Sequence, residues 1–204
     1  GQGNHLSTDN LAATDQTTDT PLNSFATLNP LLPQSKAPTY AEGNTSFAYT
    51  QANTSYWSIG VSTIGLSNGK WYWEVEMDVI GTYSQPGILG DQTAHILGNP
   101  GDSDNYIGYP SRGYAFTNNS GDLYTDNGSA SFGDAVSAGN ILMFALDMDN
   151  HKLYYGVGGS WFNSGDPTTG ATGTGAVSIS DDQSLYFPAV SGSSVTYLMN
   201  FGNP

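Results

Sequence analysis

From Tyr40 onward the chain is written in short apolar or alternating runs separated by clusters of Gly, Asn, Asp and Pro. No stretch keeps a 3.6-residue apolar period long enough for a helix, which predicts an all-β protein. The plainest strand is Lys70–Asp78. There Trp71, Trp73, Val75 and Met77 fall on one face and Tyr72, Glu74, Glu76 and Asp78 on the other, as a strand with one core face and one polar face requires. The runs Ile141–Asp147 and Lys152–Gly156, joined by Met148–His151, read as a hairpin whose almost continuously apolar first arm is buried on both faces. Further strands are expected at Phe47–Tyr49, Ser58–Val61, Gly87–Leu89, Tyr106–Tyr109, Gly113–Phe116, Leu185–Phe187 and Val195–Met199. Their number and spacing suit a two-sheet antiparallel, jelly-roll-like sandwich.

Residues 1–39 follow no such pattern. They are rich in Thr, Asp and Asn, and Pro21, Pro30, Pro33 and Pro38 interrupt any helix or central strand. We read them as an extended leader that docks on its own sandwich or on a neighbouring subunit, and residues 40–204 as the sandwich itself. The opening Gly1-Gln2-Gly3 has neither an initiator Met nor a signal-peptide pattern, so the chain is expected to be a fragment or a processed product.

Charge narrows the choice of partners. The 204 residues carry 18 acids against 4 Lys and Arg, a net charge of −14, and only 11% of residues are charged. With so few cations, the phosphate attraction that drives nucleic-acid binding is missing, and an anionic membrane surface repels the chain. No apolar run is long enough to span a bilayer. There is no cysteine, so disulfides and thiolate metal sites are excluded. The palette of Asn, Ser, Thr, Asp and Gly around an aromatic-rich core is that of an extracellular β protein.

Several ordered motifs resemble one family. Gly69 to Val75 reads Gly-Lys-Trp-Tyr-Trp-Glu-Val, which resembles the Gly-x-Trp-Tyr-Trp-Glu-Val strand of SPRY domains. Gly139-Asn140 through Asp147 and on to Gly158-Gly159 is similar to the family's later strand, turn and Gly-rich loop. Leu185–Val190 and Asn200-Phe201-Gly202 look like its closing elements. The resemblance spans roughly residues 47–202 and implies the concanavalin-A-like sandwich of that family. The better-known animal SPRY modules bind short peptides through loops, but those loops do not align with this chain, so no binding residue is carried over. The leader segments Thr8-Asp9-Asn10 and Phe25–Pro30 and the loop Gly159–Pro167 also resemble SPRY-bearing proteins of aquatic phages, which implies a virion or tail component.

Candidate chemistry is sparse. Glu74, Glu76 and Asp78 project from one strand face, and similar sandwiches include glycosidases with paired carboxylates on one strand, which suit a retaining mechanism. Here the order is Glu-x-Glu-x-Asp, and a half-exposed strand ordinarily shows polar residues to water, so hydrolysis is the lesser reading and no catalytic residue is expected. Asp147–His151 opens like a calcium loop, yet Lys152 stands where an EF-hand needs Gly and Gly158 where it needs Glu, leaving a hairpin turn. Asp102, Asp104, Asp181 and Asp182 could lend oxygens to Ca²⁺, against the simpler reading of loop solvation; no cofactor or metal site is otherwise expected. His5, His95 and His151 lie far apart without metal-ligand spacing or a nucleophile elbow.

Recognition by loops on a rigid scaffold remains. Tyr83, Tyr109, Arg112, Trp161 and Phe162 could offer stacking faces or anchors, Arg112 being the sole guanidinium. The expected function is a non-catalytic module of a virion or extracellular protein, binding a cell-surface glycan or protein. The alternative is a structural assembly subunit, homo-oligomeric and joined to self or other virion subunits through the leader.

Overall fold

A computed structural model of the chain describes residues 24–32, 36–50, 57–90, 106–109 and 112–202. Among these residues fourteen strands form two antiparallel sheets, the two-sheet architecture that the sequence pattern predicts. Sheet I runs β1 (Thr39–Ala41), β2 (Ser46–Tyr49), β14 (Val195–Asn200), β4 (Lys70–Val79), β9 (Ile141–Asp147), β10 (Lys152–Val157), β11 (Ser160–Trp161), and β12 (Val177–Ser178) also pairs with β10. Sheet II runs β3 (Ser58–Val61), β13 (Tyr186–Ser193), β5 (Tyr83–Gly90), β6 (Gly113–Phe116), β7 (Asp122–Thr125), β8 (Gly128–Ser131).

Alternation along β4 sets the layering. Trp73, Val75 and Met77 are buried, and they face Phe144 and Leu142 of β9 through the pairs Trp73↔Phe144 and Val75↔Leu142. Trp73 stacks on Phe144 at 5.0 Å between ring centroids, and Phe144 meets Tyr155 edge-on at 5.2 Å. From sheet II, Ile88, Tyr114, Phe116, Tyr186 and Val190 complete this core. Trp71 shares the parity of Trp73 but is 44% exposed, because it stands at the mouth of the sandwich where an apolar cleft of about 120 Å³ opens between the sheets.

Sheet II is covered on its other side too. Ile59, Val61, Leu89, Ala115 and Ala189 form a second apolar cluster into which Ile107 inserts, fully buried. The expected strand over Tyr106–Tyr109 is instead a turn, closed by Tyr109 N donating to Tyr106 O at 3.1 Å. Two glycines let it sit down. A Cβ at Gly108 would lie 2.4 Å from Tyr124 Cβ, and one at Gly113 would lie 1.6 Å from Ile107 O. Pro86 and Pro188 lie inside the central strands β5 and β13, a position that strand rules disfavour.

The described end of the leader lies against its own sandwich. Leu28 is fully buried and bridges Ser62, next to the edge strand β3, with Leu28 N donating to Asn44 O and Asn29 N to Val61 O, both at 2.8 Å. This covers an edge that would otherwise present open backbone groups. Expectations for residues 1–23 lie outside the described residues.

Candidate functional site

The five ligand-binding candidates do not converge on one place. Tyr83 and Tyr109 belong to one aromatic array. Tyr83 begins β5 on the parity of Leu89, on the outer side of sheet II, and is 43% exposed. Its ring lies 5.6 Å from Trp57, Trp57 lies 5.0 Å from Tyr106, and Tyr106 meets Tyr109 edge-on at 5.7 Å. Tyr106 Oη donates to Asn127 Oδ1 at 2.5 Å, which ties the array to the β7–β8 turn. Trp57 and Tyr106, which join the two tyrosines, were not among the residues singled out from sequence.

Arg112 is elsewhere. Its carbonyl accepts from Gly90 N at the far end of β5, about 24 Å along the strand from Tyr83. Its guanidinium pairs with Asp182. Asp182 also accepts from Ser180 Oγ at 2.6 Å, and its carboxyl is held down to about 2, by the Ser180 hydroxyl first and then by the Arg112 pair and Gln183. Asp182, one of the four carboxylates considered for Ca²⁺, is thus already engaged, and its neighbour Asp181 is exposed. Asp102 and Asp104 lie outside the described residues. Among the described residues, no three His, Asp or Glu side chains gather as a metal site.

Phe162 faces inward, stacked on Phe116 at 5.2 Å and edge-on to Phe132 at 6.5 Å, with Gly133 leaving room beside its ring. Its neighbour Trp161 turns the other way. It pairs with Gly156, where a Cβ would lie 3.0 Å from the indole, and meets Tyr72 at 6.3 Å and 85°.

Tyr72 brings the carboxylate face of β4 into view. Its hydroxyl donates to Glu74 Oε1 at 2.5 Å, and Asn200 Nδ2 donates to Glu74 Oε2 at 3.3 Å. Partial burial, reinforced by the hydrogen bond and charge of Glu74, pushes the Tyr72 phenol up to about 12. Glu76 is exposed and lines a shallow depression of about 120 Å³ with Glu74, Ile141, Leu198 and Asn200. Glu74 is therefore anchored on both oxygens, and Glu76 and Asp78 are exposed, Asp78 lying where the β4–β14 register shifts. The Asp147 loop is a hairpin turn: Asp147 accepts from Asn150 N at 3.1 Å and Asn150 Nδ2 at 2.9 Å, and pairs with Lys70.

The architecture has a close counterpart among solved structures. The crystal structure of the SPRY domain of human HERC1 superposes with a TM-score of 0.64, covering 86% of this chain and 98% of that one at 15% identity. The fold is that of a SPRY domain. No protein-family model matches the chain, and no curated protein matches it in sequence. In this SPRY fold the Trp-Tyr-Trp-Glu-Val motif is β4. One of its faces builds the core through Trp73 and Val75, and the other presents Tyr72 and Glu74.

Proposed function

We propose that the chain is a non-catalytic binding module of a virion or extracellular structural protein, which recognises a cell-surface glycan or protein through the surface bearing Tyr83 and Tyr109. The observation that carries this is the continuous array Tyr83–Trp57–Tyr106–Tyr109. Four rings from two strand ends and a turn are locked by contacts of 5.0–5.7 Å, with Tyr83 left open to solvent. Such rigid aromatic surface suits stacking on sugar faces or anchoring a protein loop at small entropic cost. The SPRY fold is consistent with the binding reading, since the better-known animal SPRY modules are binding modules, although their peptide-binding loops do not align with this chain. The carboxylate face supports hydrolysis poorly, because Glu74 is held in place by Tyr72 and Asn200 and the order along the strand is Glu-x-Glu-x-Asp.

The test is binding of the purified chain to an array of microbial surface glycans and to cell envelopes, repeated with Tyr83→Ala, with Tyr109→Ala and with EDTA. Saturable binding lost in both variants is the expected result, and EDTA sensitivity would add calcium. Binding untouched by either variant, or none across the panel, overturns the proposal.

One observation favours the assembly reading. β8 ends sheet II as Gly-Ser-Ala-Ser, exposed throughout and with neither a charge nor a proline to protect its edge. Sedimentation over a concentration series decides it, with Ser129→Pro as the edge-blocking variant because the Ala130 N–H faces β7 and that of Ser129 the open edge. A dimer abolished by the proline supports assembly, and a monomer at every concentration removes it.

A further inference from the structure

We propose a second site, separate from the Tyr83 array: the outer face of sheet I captures an arginine side chain of a protein partner on Tyr72, Trp161 and Glu74. Cross-strand register places these groups together. Tyr72 pairs with Ala145, and Glu74 pairs with Met143, which pairs in turn with Gly156, the partner of Trp161. The small side chain at Ala145 keeps the floor low, and the absent one at Gly156 makes room for the Trp161 indole beside Met143. Tyr72, 52% exposed, and half-buried Trp161 stand over it at 85° to one another. Two rings at right angles give a cation one face to stack on and one wall beside it.

Glu74 supplies the charge. Each of its oxygens accepts one hydrogen bond, from Tyr72 Oη and from Asn200 Nδ2. A carboxylate has about four lone-pair directions, so the group is held in place and still open to a fork of N–H donors. Planar guanidinium satisfies both requirements, lying flat on the tyrosine ring while its edge meets the carboxylate; a lysine ammonium makes only a point contact. Glu76 on the same face, and exposed Asp78 at the irregularity just beyond it, extend the negative field. The two lysines of the face are directed elsewhere, Lys70 to Asp147 and Lys152 to Ser178 Oγ at 2.8 Å.

Charge complementarity also chooses among occupants. A second copy of this chain carries −14, and its sole arginine is paired with Asp182, so it is repelled from this face. A neutral sugar gains nothing from the three carboxylates as charges. Behind the rings, Tyr154 lies in the row of Tyr72 and Ala145 and touches Trp161 at 6.3 Å. Its buried hydroxyl has no hydrogen-bond partner among the described residues.

The experiment titrates the full chain with a short arginine-rich peptide, the matched lysine peptide and the matched glutamine peptide, at low and at physiological salt, followed by tryptophan fluorescence and calorimetry. Saturable binding of the arginine peptide is expected, with affinity at least about tenfold lower for the lysine peptide and for Glu74→Gln, a loss of similar size for Trp161→Ala, and no change for Tyr83→Ala. Glu74→Gln preserves shape, so its unchanged melting temperature separates lost recognition from lost folding. Equal affinity of wild type and Glu74→Gln would reduce the effect to diffuse attraction by an acidic surface and overturn the proposal. So would no binding at low salt, or a neutral glycan that quenches Trp161 where the arginine peptide does not.

Discussion

Tyr155 on β10 reaches across the core and donates its hydroxyl to the carbonyl of Tyr114 on β6, at 3.0 Å, so that one side chain of sheet I is hydrogen-bonded to the backbone of sheet II. Tyr197 on β14 does the same to Ser191 O on β13, at 2.9 Å. All four residues are buried. Removing the Tyr155 hydroxyl leaves a buried carbonyl short of one donor. Tyr155→Phe is therefore expected to cost about 1–2 kcal/mol, read as a lowered urea midpoint with an unchanged slope. A changed slope would mean that the two sheets part before the rest unfolds.

The Lys70–Asp147 pair gives the chain an acid-sensitive joint. Asp147 is 3% exposed whereas Lys70 is 58% exposed, so the pair is half screened by water. Burial alone raises the carboxyl pKa, but hydrogen bonds from Lys70 and Asn150 more than reverse this and bring it below its ordinary 3.8. The sign follows: the unfolded state takes up the proton first as pH falls. The stabilisation is complete above about pH 3.8 and is lost as pH drops through the lower folded value. Asp147→Asn is expected to lose about 1–3 kcal/mol at neutral pH and to converge on wild type in strong acid. A gap that stays constant down to acid pH would show that the pair is not ionic in solution.

Strict alternation made β4 legible, and the apolar run ending in Asp147 made the β9–β10 hairpin legible, because both strands are defined by what they bury. β7 and β8 left no such trace: β7 is half-buried along its length and β8 exposed throughout, so neither strand has an apolar face to repeat. β5 and β13 were read short because Pro86 and Pro188 interrupt them and because small residues such as Gly87, Ala189 and Gly192 fill tight places without raising hydropathy. For the site, single exposed aromatics were visible but their grouping was not. Trp57 and Tyr106 join Tyr83 to Tyr109 through contacts between separate segments. Tyr72 passed as filler on a polar face; the Tyr-x-Glu spacing, which sets a phenol beside a carboxylate on one strand, was the available signal.

Gly113 holds the Tyr106–Tyr109 turn in place, since a Cβ there would overlap Ile107 O and push the turn off sheet II. Gly113→Ala is expected to weaken the contact of Tyr106 with Trp57, lower the near-ultraviolet circular dichroism of the array and reduce Tyr83-dependent binding. Gly139→Ala is the contrast: φ there is +80° but nothing lies within 4 Å of the added carbon. It should cost only about 1–2 kcal/mol and leave the aromatic signal intact. If both variants behave alike, the seat of Ile107 is not what positions the array.

The Tyr72–Glu74 contact has a signature at the alkaline end. Partial burial is the largest reason why the Tyr72 phenol ionises near 12 rather than 10.0, with the hydrogen bond to Glu74 and its charge adding to it. Because the folded pKa is the higher one, the associated stabilisation is complete below about pH 10 and falls away as pH rises through about 12. Buried Tyr155, Tyr186 and Tyr197 are also raised, so Tyr72 must be picked out by difference. Tyrosinate absorbance titrations of wild type and Tyr72→Phe should differ by one phenol ionising near 12. In Glu74→Gln that phenol should titrate earlier yet still above 10.0, since burial remains when the charge is gone. An unmoved midpoint would show that the hydroxyl and the carboxylate do not meet in solution. The anchored carboxylate on which arginine capture depends would then be absent, whatever the peptide titrations gave.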